Sequence, residues 1–449
     1  MIKIQKLSDL TPTLGFSEFD FYSDYRSSFS SSELGRLWSS IPFSSLAASL
    51  GLRDHPLGRS SYFSAEGKLA LMFLKAYTGL SDSRLIADLN SNIHYQLFCG
   101  IRIHPLTPLR NFKIVSQIRC EIASLLDIDS LEQILASYWK PYMENLSVLM
   151  TDATCYESHL RYPTYIKLLW EAVYWLHTHM CAIYKEQGLR KPRTKYDKQA
   201  LRYRSYSKNR NPRKSHRRIL QRSLLHLLNK LIGLTDQVLF NVHPDKNFTK
   251  RYAVIKQVYH QQRMFFEGKK VKHQIVSIDK SYIRPIVRGK ETKAVEFGAK
   301  VNTIQVDGIN FIEHLSFEAF NEGIRLVECV NKQQRLFHYR VKQIGADSIY
   351  ATNKNRKFCS SRKIATSFVR KGKAGKLEEQ AKAMRSILSK ERATRMEGSF
   401  GTEKNFYSLR KIKARTKQTE ILWIFFGIHT ANAVRMIPKM NSCKMKDTA

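Results

Sequence analysis

At 449 residues the chain is long enough for two or three domains with proper cores, and a hydrophobic share of 43% excludes a disordered protein. A formal net charge of +37 exceeds what solubility requires, so a polyanionic partner is expected, nucleic acid ahead of an acidic membrane surface. The seven cysteines are scattered and lack CxxC pairs, which favours free thiols in a reducing compartment over a structural zinc. No apolar signal segment follows Met1, and the late apolar block Ile421 to Ile428 is shorter than the roughly 18 residues that cross a bilayer. A cytoplasmic, nucleoid-associated protein without a membrane partner is expected.

The first 50 residues, rich in Ser and Phe, show weak periodicity. Lys68 to Tyr77 reads as a helix because Leu69, Met72, Phe73 and Ala76 recur at i, i+3, i+4 and i+7. Thr78-Gly79-Leu80 breaks it, and Ser81 or Asp82 caps a second helix carrying Leu85 and Leu89. Helix, glycine turn and helix suits DNA binding or an ordinary helical hairpin equally. Thr107-Pro108 reads as the start of a helix with Ile114, Ile118, Ile122 and Leu125 on one face. Ser130 with Gln133 reads as a capping box for the next. Residues 1–140 are thus expected to form a helical DNA-binding or dimerisation domain.

At Leu146 the pattern changes to a β-type run that ends at Asp152. Pro163-Thr164 then caps a helix with Ile166, Leu169, Trp170 and Val173 on one face. From Lys185 to Arg218 fourteen Lys or Arg stand against only Glu186 and Asp197. Such a run repels itself unless phosphates neutralise it, which makes Arg202, Arg204, Arg210, Arg213, Lys214, Arg217 and Arg218 candidate DNA contacts. Tyr196, Tyr203 and Tyr206 are placed either to stack on unpaired bases or to pack locally.

A leucine stripe, Leu220, Leu224, Leu228 and Leu231, and the segment Tyr252 to Phe266 predict further helices. β signals return at Gln274 to Asp279 and Val295 to Thr303, and Asp307-Gly308 turns a hairpin into Phe311-Ile312. Gly323 to Asn331 reads as a crossover helix, Phe337 to Ala346 as a strand ending at Asp347, and Lys376 to Lys404 as helix-rich. This order predicts an α/β domain over 141–436, a mixed sheet with a large basic helical insertion at 155–270 after its first strand, followed by a C-terminal tail at 437–449.

Two aspartates at strand ends and one glutamate on a helix would form an oxygen-only site of the kind Mg²⁺ or Mn²⁺ prefers. Asp152, Asp347 and Glu397 are the candidate ligands, with Lys404 and Arg395 projecting from the same helix toward DNA. In-line phosphoryl transfer uses such carboxylates to hold two ions roughly 3.5 to 4 Å apart. Asp279 and Asp307 also end β-like runs, and Glu403 shares the block of Glu397 but is expected to face solvent or pair with a cation. His177, His179 and Cys181 are spaced like soft-metal ligands, yet only positions 177 and 181 share a helix face, so a packing role is expected.

Thr151-Asp152-Ala-Thr, Gly345-Ala-Asp347-Ser-Ile-Tyr350 and Arg395-Met-Glu397-Gly-Ser-Phe400-Gly401-Thr-Glu-Lys404 resemble the DDE transposases of bacterial insertion sequences, most of all the group related to insertion sequence five. Arg288-Gly289-Lys290 with Phe297-Gly298-Ala-Lys300 is similar to that family's middle strands, and Gly67 to Met72 with His94 to Gly100 to its N-terminal helical domain. The resemblance implies an RNase H-like catalytic fold using Mg²⁺, cleavage at terminal inverted repeats, strand transfer into target double-stranded DNA, and a homodimer or larger synaptic assembly. It assigns Asp152, Asp347 and Glu397 as metal ligands and places Lys404 near the cleaved phosphate, with Lys290 and Lys300 at DNA. Three positions depart from the family pattern, Ser348, Ser408 and Ala393, the last flanked by Arg392 and Arg395. The competing readings are a transposase-derived protein that binds element ends without cutting, and a non-mobile nuclease of the same fold.

Overall fold

The computed structural model describes residues 18–53, 61–287, 294–372 and 378–447. Among the described residues eight helices precede the first strand: α1 Glu18–Ser31, α2 Glu33–Ser39, α3 Phe43–Ser49, α4 Ala65–Thr78, α5 Asp82–Ser91, α6 Ile93–Phe98, α7 Lys113–Leu125 and α8 Ile128–Trp139. The periodic segment is α4, where Ser64 Oγ accepts from Gly67 N at 3.0 Å and Gly79 closes the helix at φ 64°. Ser81 Oγ caps α5, accepting from Arg84 N at 3.2 Å. Thr107-Pro108 starts no helix. The chain turns until Asn111 Oδ1 accepts from Lys113 N at 3.1 Å, and α7 begins there. The cap of α8 is Asp127, not Ser130, and Gln133 donates to Leu336 O at 3.2 Å instead of closing a capping box.

The rest of the chain alternates. After β1 Val148–Glu157 come α9 Tyr165–Glu186, α10 Tyr196–Lys208, α11 Lys214–Leu239 and α12 Lys246–Phe266, then β2 Pro285–Val287, β3 Val295–Val306 and β4 Ile309–Ser316. α13 Leu326–Phe337, β5 Gln343–Ala346, α14 Asn353–Ser361, β6 Ala365–Thr366, α15 Glu378–Phe406 and α16 Lys417–Asp447 follow. The strands form one sheet. β3 lies antiparallel to β1 and carries β2 and β4 along its other edge, while β5 and β6 continue the far side of β1 in parallel. Asp307 and Gly308, at φ 50° and 85°, form the tight turn between β3 and β4.

Several strand boundaries differ from the sequence reading. β1 runs five residues past Asp152, so that carboxylate sits in mid-strand. Gln274 to Asp279 is irregular although Ile275, Val276 and Ile278 are buried, because the segment packs against the insertion without a strand beside it. β5 is only four residues long, since α13 persists to Phe337 and His338 ends it at φ 51°.

The insertion α9 to α12 has its own core, in which Leu169, Val173, Leu224, Leu228, Leu231 and Ile255 are fully buried. Tyr196 and Tyr203 stack on Trp170, with ring centroids 5.6 and 4.8 Å away, so these tyrosines pack locally. His177 lies flat on Tyr196 at 3.7 Å, and His179 stacks on Trp175 at 4.0 Å, which gives the His177-His179-Cys181 run a packing role.

The N-terminal helices share a core with the sheet and α16. Phe73 of α4 meets Phe426 of α16 edge to face at 4.9 Å. Glu132 of α8, fully buried, accepts from Ile312 N in β4 at 2.7 Å and contacts His429 of α16 at 3.1 Å, while Lys332 of α13 pairs with it at 2.7 Å. α16 carries Met436 and Met440 into that core, so the tail expected from residue 437 is helix through Asp447. The apolar block at 421–428 is thus part of a longer helix whose span Lys417–Cys443 reaches membrane-crossing length and hydropathy. Its most apolar window is 67% buried against the rest of the protein, as a core helix is.

Candidate active site

Alternation along β1 sorts its side chains between two helical layers. Thr151 faces α13, where its Oγ1 lies 3.4 Å from Cys329 Sγ. Met150, Asp152, Thr154 and Tyr156 face α15: Met150 packs with Leu388 and Met396, Arg392 pairs with Asp152, Lys404 donates to Thr154, and Tyr156 donates to Glu403. Successive turns of α15 therefore track one face of one strand.

β5 brings Asp347 to the same place. Met150 pairs with Gly345 and Thr151 with Ala346, so the next residue on each strand is an aspartate, Asp152 beside Asp347 on the α15 face. Gly345 allows the helix to come this close. A Cβ there would lie 2.2 Å from Met150 Sδ and 3.0 Å from the Leu388 carbonyl. Asp347 caps the short turn Ser348–Tyr350, accepting from Ser348 N at 2.6 Å.

A third acid enters from the turn Glu322–Ile324. Gly323 packs so tightly on the Asp347 turn that a Cβ would meet Ile349 O at 2.4 Å, and Asn355 Nδ2 ties the two turns by donating to Gly323 O at 2.6 Å and Tyr350 O at 2.8 Å. Burial pushes the Asp152 carboxyl above the usual carboxylate range; its N–H contact from Ala153 and the Arg392 guanidinium pull back, and Asp347 and Glu322 push further. Arg392 Nη1 sits 2.8 Å from Asp152 Oδ2, with side-chain exposures of 15% and 18%.

Glu397 is exposed on α15. It lies roughly 100° around the helix from buried Met396. Lys404, seven residues on, returns to nearly the same side as Glu397. Lys404 Nζ reaches Thr154 Oγ1 at 2.8 Å, two residues from Asp152 on the same strand face, and lies 5.8 Å from the Tyr156 ring centre. Glu397 is thus on the Lys404 side of α15, about 140° around the helix from Arg392, the residue that meets Asp152. Among the described residues no group of three or more His, Cys, Asp or Glu stands at metal-holding spacing.

The other expected residues separate into distinct roles. Arg395 pairs with Glu391 and lines a cavity with Asp307 and Gly308; nine residues before Lys404, it lies on the opposite side of the helix. Lys300 is tied to Glu322 at 2.7 Å and to Phe320 O at 2.9 Å. Lys290 lies outside the described residues. Arg202, Arg204, Arg210, Arg213, Lys214, Arg217 and Arg218 are all exposed on or beside α10 and α11. Asp279 is largely exposed and pairs with Arg251, and Asp307 binds Lys439 and Glu144 N in its turn, so neither joins the site.

Glu403 corrects the expectation of a solvent-facing residue. It is fully buried, accepting from Tyr156 OH, and from Asn310 Nδ2 at 2.5 Å, with Ser399 Oγ at 3.4 Å, and burial raises its pKa. Arg392 and Glu322 escaped the sequence reading. The available signal for Arg392 was its i, i+4 spacing with Leu388 and Met396 on the sheet-facing stripe of α15.

Residues 344–429 match the family described as transposase DDE domain, and residues 23–139 match the one described as transposase domain (DUF772). The first match includes Asp347, Glu397 and Lys404, and the second spans nearly all of α1 to α8. No curated protein and no solved structure matches the chain.

Proposed function

We propose that the chain, whose residues 344–429 match a transposase DDE domain and 23–139 a helical transposase domain, is an insertion-sequence transposase that cleaves DNA at the ends of a mobile element and joins the freed 3′-hydroxyl to target DNA. The observation that carries this is Asp152 beside Asp347 on one sheet face, covered by the helix that bears Arg392, Glu397 and Lys404. The strand sequence β4-β3-β1 antiparallel, continued by β5 and β6 in parallel, supports an RNase H-like reading of the sheet.

Asp152, Asp347 and Glu397 are the proposed ligands of Mg²⁺, with Mn²⁺ as a substitute. The donor chemistry fits: the half-buried Asp152 carboxylate has Asp347 and Glu322 as like-charged neighbours, against two cations, Arg392 on Asp152 and Lys300 on Glu322, a residual negative charge that a hard cation relieves. The metal would supply charge neutralisation at the reacting phosphate. Arg392 orients Asp152 and favours its ionised form. Lys404, held by Thr154, offers a positive charge to the phosphate at the reacting strand. The exposed cations of α10 and α11 hold duplex DNA through its phosphates, and two element ends call for at least a dimer.

Asp152→Asn, Asp347→Asn and Glu397→Gln should each abolish Mg²⁺-dependent nicking of a plasmid carrying element ends while affinity for those ends stays near wild type. Nicking that survives any one of them removes that residue from the ligand set. A second reading, binding of ends without cutting, draws on the Arg392–Asp152 pair, which already gives that carboxylate a cationic partner. Absence of nicking by the wild-type chain on every end sequence it binds would favour it.

A further inference from the structure

We propose that the groove between the helical insertion and the edge of the sheet binds an unpaired nucleic-acid strand. Part of it is a cavity of about 620 Å³ lined by His159 to Pro163, Lys167, Leu168 and Glu171, by residues of 276–280 and by Lys413 to Arg415. A second cavity of about 390 Å³ continues it toward Arg217 of α11, and the two share Tyr162, Pro163, Leu168 and Val276.

One wall is built by the stretch after α15. His159 N donates to Ile412 O and Ile412 N to Glu157 O, each at 2.8 Å, which bridges Ile412 to Ser158 beside the continuation of β1. Alternation then buries Ile412 and Ala414 and leaves Lys411, Lys413 and Arg415 exposed. The opposite wall adds Arg161 and Lys167 from the entry to α9. Among the described residues Arg161, Lys167, Lys413 and Arg415 enter no salt bridge, whereas Lys280 in the same cavity is committed to Glu420.

Two features select an unpaired strand over a duplex or a simple anion. Tyr162 lines the groove at 65% exposure, edge to face with Phe297 at 5.9 Å, and is the stacking platform offered among the cations; Tyr165, at 43% exposure, already packs on Phe265 at 5.2 Å. Cationic tracks with open aromatic faces suit single strands, because every unstacked base offers a face and a duplex offers none. Glu171 and Asp279 line the same cavity, Glu171 half-buried with Arg161 and Lys167 as cationic neighbours; these carboxylates disfavour a bare phosphate and can accept from the N–H of an unpaired base, thymine N3–H included. The groove residues differ from both the proposed metal ligands and the cationic run on α10 and α11, apart from Arg217. The inference rests on the transposase reading for the origin of such a strand, yet its test needs no cleavage.

The full chain is titrated, in EDTA, into labelled oligothymidine and into a labelled duplex, following fluorescence anisotropy. Tyr162→Ala should weaken oligothymidine binding by about five-fold or more, as loss of one stacking platform does. Its duplex affinity should change less than two-fold, roughly the scatter of such titrations. Tyr162→Phe, which keeps the ring, should bind oligothymidine like wild type. The triple variant Arg161→Gln/Lys413→Gln/Arg415→Gln should lower the log–log salt slope for oligothymidine by about 2, at roughly 0.7 per neutralised phosphate. The proposal is overturned if Tyr162→Ala lowers duplex and single-strand affinity equally, or if the triple variant leaves the salt slope unchanged. Should Tyr162→Ala lose its wild-type circular dichroism, the triple variant at exposed positions decides alone. Asp152→Asn should keep wild-type oligothymidine affinity, so a failure of the catalytic reading and a failure of the groove appear in different assays.

Discussion

Replacing Arg392 by Gln removes the ion-pair partner of Asp152 and leaves its carboxylate between Asp347 and Glu322. The pair is 2.8 Å long and its side chains are 15% and 18% exposed, between the surface and the buried limits. Exposed pairs contribute about 0 to 1 kcal/mol and breaking a fully buried one costs about 3 to 5, so a loss of about 1 to 3 kcal/mol is expected in EDTA. Divalent ions should reverse the effect. An ion at the aspartates replaces the missing positive charge, and a ligand at one hundred times its Kd stabilises by about 2.7 kcal/mol. The assay is urea unfolding of wild type and Arg392→Gln, each with EDTA and with saturating Mg²⁺. The gap between the two proteins should narrow when Mg²⁺ is present. A gap of the same size in both buffers, or no gap in EDTA, would refute the idea that guanidinium and metal neutralise one shared carboxylate site.

Other features yield shorter tests. Burial raises the folded pKa of Glu403 above its unfolded value, so its contribution is fully present below about pH 4.3 and is lost as pH rises through the folded pKa. The stability of wild type relative to Glu403→Gln should therefore fall between acid and neutral pH in urea titrations; a difference constant with pH contradicts the assignment. Trp170→Ala removes the surface on which Tyr196 and Tyr203 stack and, because Trp170 is half-buried, should cost less than the about 3 to 5 kcal/mol of a core tryptophan, within the insertion. Hydrogen exchange should rise between 165 and 266 and stay unchanged in the sheet, and uniform acceleration would argue against a separate insertion core. Replacing Arg202, Arg204, Arg210 and Arg213 by Gln should flatten the salt dependence of duplex binding by about 0.9 in log–log slope for each phosphate no longer neutralised. An unaltered slope would return these cations to a merely solvated face.

Local patterns reached far where the chain follows one period. The i, i+3, i+4 spacing of Leu69, Met72, Phe73 and Ala76 located α4, and Asp307-Gly308 located the β3–β4 turn, because helix faces and tight turns are set by neighbours in sequence. Ends were harder. The sheet extends β1 beyond Asp152 by pairing with β3 along its full length, a long-range effect that no local run of apolar residues records. The segment at Gln274 carries β-type residues but finds no strand beside it, so burial alone determines its form. For the site, the separate stretches around Asp152, Asp347 and Glu397 stood out as candidates. The charged neighbours of Asp152 did not, since Arg392 and Glu322 meet it only through the register of β1 on β5 and the pitch of α15. Glu403 shows the converse. Its place in a charged block suggested solvent, whereas helix geometry turns it inward onto Tyr156.

The most direct test of the account is the position of a divalent ion. Crystals of the full chain with Mn²⁺ and a cleaved end would give an anomalous peak whose surroundings can be read atom by atom. The account predicts it within roughly 2.0 to 2.2 Å of carboxylate oxygens from both Asp152 and Asp347, with Glu397 completing the set. A peak held by other residues, or one that leaves Glu397 pointing into solvent while the chain still nicks DNA, would contradict it.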